Sequence, residues 1–192
     1  MSKIPLIAII GKAGAGKDTV MRHVLDKDRT LNEIVSYTTR PPREGEVEGK
    51  DYHFIDVEQF TDLVLNDKML EASSFNNWFY GTGIDSLDPN KVNIGVFNPE
   101  GIESLMLHNN IDLYVFLIEA SDKTRLIRQL SREESPDIDE IFRRFKTDYE
   151  DFFDLQFHHN FLINESDNDL DHNATIICGV ARTLRDKNGQ FN

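Results

Sequence analysis

The chain has 192 residues, with 34 acidic and 21 basic side chains, a formal charge of −13 and a single cysteine, Cys178. That length suits one ordinary domain with at most a small insert, and a core of this size needs no disulfide or structural-metal staple. The apolar run Ile4–Ile10 is far short of the roughly 18 residues of a membrane span, and no small-residue cleavage site follows it, which favours a cytoplasmic setting. So acidic a surface repels DNA, RNA and anionic membranes unless its basic residues are concentrated locally.

In chain order, the isoleucine-rich run Ile4–Ile10 predicts a buried, parallel strand. A glycine-rich turn follows, then helical spacing over Thr19–Leu25. Ile34–Tyr37 predicts a second short strand. Residues 40–51 hold two prolines and two glycines among charges and predict turns. Tyr52–Ile55 alternates as a strand, Val57–Leu65 has helical spacing, and Met69–Ser74 and Phe79–Tyr80 are short strands. Val92–Phe97 reads as another buried strand, Pro99–His108 as a helix with proline in its first turn, and Leu113–Ile118 as the second strong buried strand. Ser121 caps a basic helix that reaches about Arg132. Pro136 breaks it before the next helix, Ile138–Phe153. Phe161–Ile163 is a short strand, Leu170–Leu184 the closing helix, and 186–192 a frayed end. Alternating strands and helices imply an α/β layered fold with a mostly parallel sheet. Residues 36–85 break that rhythm and read as an inserted subdomain.

Gly11-Lys12-Ala13-Gly14-Ala15-Gly16-Lys17-Asp18-Thr19 lies between the first strand and the first helix. It matches the phosphate-binding pattern G-x-x-x-x-G-K-[ST] at Gly11, Gly16 and Lys17. In such loops the glycines let backbone N–H groups face phosphate oxygens, the helix N-terminus adds partial positive charge, and the lysine adds a full one. The candidate nucleotide-binding set is Gly11, Ala13, Gly14, Ala15, Gly16, Lys17, Asp18 and Thr19. The alternative is an ordinary glycine-rich turn with Lys17 solvated. Asp18 stands where the pattern has a Mg²⁺-binding hydroxyl. A carboxylate is also a hard oxygen ligand for Mg²⁺, so Asp18 is the metal-binding candidate. The other reading makes it a first-turn acid with Thr19 near the metal.

The segment from Ser36 to Phe54, SYTTRPPREGEVEGKDYHF, resembles the guanylate kinase signature S-x-T-T-R-x-P-R-x-G-E-x-x-G-x-D-Y-x-F. The resemblance continues at the same spacing through Glu71 and Tyr80-Gly81-Thr82, and more loosely to Ile163-Asn164. It implies a P-loop NTPase-type three-layer fold with a core at 1–35 and 90–185, a nucleoside-monophosphate-binding subdomain at 36–89 and a lid at about 130–146. It also implies that Ser36, Arg40, Arg43, Tyr52 and Tyr80 hold the phosphate of a nucleoside monophosphate, while Glu71 and Thr82 read its base. The residue chemistry agrees: arginine forks and hydroxyls suit a phosphate dianion. A carboxylate accepts from guanine N1–H and N2–H while a hydroxyl donates to O6. An isolated loop of this composition would instead pair Arg40 and Arg43 with Glu44, Glu46 and Glu48.

Arg125, Arg128 and Arg132 recur at i, i+3 and i+7 and so share one helix face. By the resemblance, Lys17, Arg128, Arg132 and Arg144 form the catalytic set, with Arg143 a rival for Arg144. The family's strand aspartates fall on Val96 and Asn98 here, so the metal-side carboxylate is missing and Asn98 becomes a base-contact candidate. The gain of Asp18 offers a replacement for the loss at 96.

The implied reaction is phosphoryl transfer from ATP, with Mg²⁺, to GMP or dGMP. Two alternatives stay open. A ribose 1,5-bisphosphate phosphokinase or broader deoxynucleotide kinase shares the Gly-Lys-Asp start. A guanylate-kinase-like interaction module would be a non-enzyme. His158, His159 and His172 fit no strong ligand spacing. Residues 1–35 and 123–146 each carry a net charge of +2, whereas 147–173 hold eight acids and no lysine or arginine. The positive charge is thus gathered where phosphates would bind, which points to small nucleotides as partners, with neither nucleic acid nor membrane.

Overall fold

The computed structural model describes residues 3–187 apart from 44, 76, 133 and 134. The chain runs β1 (Ile4–Ile10), α1 (Lys17–Lys27), β2 (Asn32–Glu33), β3 (Tyr37–Thr38), β4 (His53–Phe54) and α2 (Val57–Leu65). A hairpin of β5 (Met69–Phe75) and β6 (Trp78–Gly83) follows, then β7 (Asn93–Val96), α3 (Pro99–Met106) and β8 (Ile111–Glu119). Two helices, α4 (Asp122–Leu130) and α5 (Ile138–Asp151), precede β9 (Asn160–Ile163) and α6 (Asp167–Lys187).

The main sheet has the order β2-β7-β1-β8-β9, with every neighbouring pair parallel. β1 is central, and Leu6 to Ile10 are completely buried. Its side chains alternate between two cores, as strand geometry requires. Ile7 and Ile9 pack with Val20 and Val24 of α1 and with Ala174, Ile177 and Leu184 of α6. Leu6, Ala8 and Ile10 pack on the other face with Ile102 and Leu105 of α3. A strand covered on both faces must be apolar throughout, which is why its sequence shows no polar alternation. The result is the expected three-layer α/β fold. Among the described residues, no helix is long and apolar enough to cross a membrane.

The second sheet, of order β4-β3-β6-β5, is mixed: β3 and β4 are parallel, while β3–β6 and β5–β6 are antiparallel. It occupies the stretch that breaks the strand–helix rhythm. Asn77, in left-handed conformation, makes the turn before β6, which Trp78 opens. An ion pair of 3.6 Å between Arg22 of α1 and Asp51 links this region to the core.

The expected strand at 34–37 is replaced by two shorter ones on either side of it. Asn32–Glu33 pairs with β7, and Tyr37–Thr38 joins the second sheet. The intervening residues carry the chain from one sheet to the other, and Ile34 keeps a last ladder bond to the Ile94 carbonyl at 2.8 Å. α6 starts three residues before the expected Leu170. There Asp169 accepts from the N–H groups of Glu165 and Ser166, a polar first turn that hydrophobic spacing cannot detect. Residues 186 and 187 belong to this helix, while 188–192 of the expected frayed end lie outside the described residues.

Candidate active site

The loops that follow β1, β7, β8 and β9 all emerge at the carboxyl end of the parallel sheet, where α/β folds place ligands. After β1 the glycine loop turns sharply: Gly14 and Gly16 have φ of +80° and +96°, a region costly for any residue with a Cβ. There is no room for one either, since a Cβ on Gly14 would come within 2.7 Å of the Arg125 carbonyl oxygen. α1 begins directly at Lys17 with Gly16 as its N-cap, so its free N–H groups face the loop's concavity. Lys17 Nζ donates to the Gly11 carbonyl at 2.7 Å. Burial lowers the pKa of this ammonium, against the opposing pull of Asp18 and Asp148.

Asp18 and Thr19 are exposed in the first turn of α1. Among the described residues there is no group of three or more metal-ligating side chains. Mg²⁺ needs none, because it characteristically takes one or two carboxylates and completes its shell with water and phosphate oxygens. Asp18 at the loop mouth fits that demand. Val96 lies on β7 beside Ile9, half-buried.

The loop is held from outside through its backbone. Asn164, 3% exposed at the end of β9, donates to the Ala15 carbonyl at 2.8 Å. Arg128 donates to the same oxygen at 3.2 Å. Arg125 Nε donates to the Ala13 carbonyl at 2.9 Å, and Ala13 N–H donates to Asp148 at 2.9 Å. Sequence reasoning placed Arg125 on the arginine face but outside the site, and it missed Asp148. The only signal for Arg125 was its i, i+3 spacing from Arg128, and Asp148 carried none.

The second sheet supplies the other predicted set. Arg40 is 8% exposed, pairs with Glu46 at 2.8 Å and donates to the Pro41 carbonyl at 2.8 Å. Its guanidinium lies 5.5 Å from the centre of the Tyr52 ring. The Glu46 pairing considered for a solvated loop thus exists, but in a buried setting that orients the arginine. Tyr52 and Tyr80 meet edge to face at 6.1 Å. Burial, with nearby Asp18, pushes the Tyr52 hydroxyl up to about 12 and keeps it a donor. Arg43 is exposed, with its backbone N–H on Glu46 at 2.7 Å. Glu44 of the signature lies outside the described residues.

Glu71 and Thr82 face each other across the β5–β6 hairpin, both buried, and Thr82 donates to the Glu71 carboxylate at 2.8 Å. The hydroxyl read from sequence as a donor to the base is therefore committed to Glu71 here, and it also lies 3.3 Å from the Ser36 hydroxyl. Burial raises Glu71 to about 7, against the Thr82 bond. Asn98 caps α3, accepting from Gly101 N–H at 2.7 Å, and donates to Ser73 at 3.1 Å. Ser73, 8% exposed, joins this cluster without having been singled out in the sequence. Its place is explained by β-strand alternation, two residues beyond Glu71.

Arg132 and Arg144 belong to a different wall of the site. With Arg43 they line a cavity of about 290 Å³, bordered also by Gln129, Asp137 and Glu140. Glu140 accepts from Arg143 and Arg144 at 2.7 and 2.8 Å, which holds its carboxyl down at about 2. Arg144 thus lines the cavity, while both rivals share one carboxylate. Of the expected lid, residues 133 and 134 lie outside the described residues. The structure brings the predicted residues into four groups: the glycine loop with Lys17 and Arg128, the Arg43–Arg132–Arg144 cavity, the Arg40–Tyr52–Tyr80 set, and the buried Glu71–Thr82–Asn98 cluster with Ser36 beside Thr82.

A chain with this arrangement has close counterparts. The family model described as Guanylate kinase matches residues 3–177. A guanylate kinase of Caldanaerobacter subterraneus subsp. tengcongensis is 28% identical over 191 residues, covering 95% of this chain and 91% of that protein. One from Geobacter metallireducens is 34% identical over 143 residues, covering 72% of this chain and 70% of its own. The crystal structure of guanylate kinase from Anaplasma phagocytophilum superposes with a TM-score of 0.65 over 96% of this chain and 87% of that one, at 22% identity, and so shares its fold. A P-loop core, an inserted second sheet and a family match over nearly the whole length place this chain in the guanylate kinase family.

Proposed function

We propose that this protein transfers the γ-phosphoryl group of ATP to GMP or dGMP, forming ADP and the nucleoside diphosphate. The observation that carries the acceptor reading is the buried Glu71–Thr82 pair. A carboxylate accepts from guanine N1–H and N2–H together, and a base lacking those donors leaves a buried carboxylate with only its Thr82 bond, a strong form of discrimination. Arg40, Arg43, Tyr52 and Tyr80 hold the acceptor phosphate. Asn98 and Ser73 complete the base pocket. This set favours a nucleotide over a sugar bisphosphate.

The acceptor phosphate has its second pKa near ~6, so it is already a nucleophile at neutral pH and needs no general base. One of its oxygens bonds to the γ-phosphorus as the bond to the β–γ bridging oxygen breaks. The protein's part is placement and charge: the loop N–H groups and Lys17 hold the donor phosphates, and Arg128, Arg132 and Arg144 neutralise the transferring group. Mg²⁺, held by Asp18, would offset charge on the donor phosphates. Movement of the second sheet and the α4–α5 region over the cleft would exclude water.

An ADP-release assay across GMP, dGMP, AMP, CMP, TMP and ribose 1,5-bisphosphate tests this reading. Turnover confined to GMP and dGMP is expected. A preference for the sugar bisphosphate or a pyrimidine nucleotide overturns it, and no turnover by folded protein points to an interaction module. For the metal, Asp18→Ser should raise the Mg²⁺ requirement, and Val96→Asp in that background should restore activity. An unchanged Mg²⁺ dependence in Asp18→Ser removes Asp18 from the metal site.

A further inference from the structure

The glycine loop presents its N–H groups to phosphate oxygens, yet one of them is already engaged. Ala13 N–H donates to Asp148 Oδ2 at 2.9 Å, from a helix 135 residues further along the chain. The same carboxylate oxygen accepts from Arg125 Nη2. Arg125 is 2% exposed and also donates through Nε to the Ala13 carbonyl at 2.9 Å and through Nη1 to Asp122 at 2.7 Å. Its guanidinium lies 4.4 Å from the centre of the Phe145 ring. Both polar backbone atoms of Ala13 are therefore gripped from outside the loop, the carbonyl by α4 and the N–H by α5.

A carboxylate on a loop N–H resembles a phosphate oxygen in everything that matters to the loop: it is anionic, it only accepts, and it suits the field of nearby Lys12 and Lys17. Burial still pushes the Asp148 acid up, against the pull of Arg125, the Ala13 N–H and those lysines. One N–H cannot serve both groups fully, and two anions side by side repel. Arg125 has Asp122 and the Ala13 carbonyl, both outside α5, to hold it when Asp148 moves.

We propose that Asp148 is a positioning residue that competes with a donor phosphate oxygen for the Ala13 N–H and yields it when the donor binds, coupling donor binding to displacement of α5. That helix carries Arg144, so the arrival of the donor would reposition an arginine of the neighbouring cavity. The inference rests on assigning the glycine loop to ATP.

The test is calorimetric titration of ATP, without acceptor, into wild type, Asp148→Asn and Asp148→Ala. Asn keeps the size of the side chain and removes its charge. Removing a charged competitor for one hydrogen bond should tighten ATP binding roughly tenfold in both variants, while kcat falls because donor binding no longer draws α5. A merely structural Asp148 gives the opposite sign, weaker ATP binding together with a lower melting temperature. Unchanged or weaker binding by Asp148→Asn overturns the proposal, and this variant decides the matter should Asp148→Ala fail to fold. Lys17→Ala checks the underlying assignment separately. If it retains wild-type ATP affinity, the loop is not the donor site, whatever the Asp148 variants do.

Discussion

At Glu71, burial and recognition pull in opposite directions. Its carboxyl is 8% exposed and raised to about 7, yet accepting two guanine donors requires the ionised form. An acid raised above its unfolded value binds more protons folded than unfolded across that interval. Its contribution to stability is therefore full below about 4.5 and lost as pH climbs through about 7. Base binding has the opposite sign. KM for GMP should fall as pH rises from about 6 to about 8, approaching tenfold per pH unit on the acid side, and Glu71→Gln should abolish that dependence along with most of the affinity. A flat KM profile in the wild type would contradict this account. Glu71 was legible because it keeps a fixed spacing from Tyr52 and Thr82. Asp148 was not, because its partners Ala13 and Arg125 are brought to it only by the fold, and in the sequence it is one of eight acids in an unbroken acidic stretch.

Most elements were legible wherever one periodicity ran for more than two turns or one apolar run was unbroken. α2 matches its predicted bounds, with Asp56 and Gln59 forming a reciprocal capping box at its start. Asp56→Ala should cost about 1 kcal/mol and lower the melting temperature by about 2–4 °C. The expectation failed at residues 32–38, where the chain changes sheets and no single strand is long enough to show a pattern. The glycine loop shows how closely elements can approach. With φ of +80° and the Arg125 carbonyl oxygen 2.7 Å from any added Cβ, Gly14→Ala must push α4 off the loop. ATP affinity should drop by about 5- to 150-fold, a range set by roughly 1–3 kcal/mol of backbone strain. Equilibrium dialysis would show it, and an unchanged affinity would mean that α4 packs there without consequence.

Over the whole molecule, the charge of −13 is unevenly spread, with the acidic stretch 147–173 apart from the basic loop and helices. Self-repulsion on this scale destabilises the compact state and is screened by salt, so the melting temperature should rise between about 0.02 and about 0.3 M NaCl. A fall would mean that surface ion pairs outweigh net repulsion. The two cores meet across one sheet, and Phe116, 1% exposed, belongs to the core that α1 and α6 cover. Phe116→Ala should cost about 3–5 kcal/mol, read by urea denaturation. Parallel pairing has one more consequence for this sheet. All its strands point the same way, so the loops that follow β1, β7, β8 and β9 leave one rim, and the turns that enter β7 and β8 lie at the other. Insertions, tags or fluorophores grafted near Asn90 or Asn109, both exposed, sit a full strand length from the chemistry. That rim is the natural handle for immobilising or labelling the protein while turnover proceeds undisturbed.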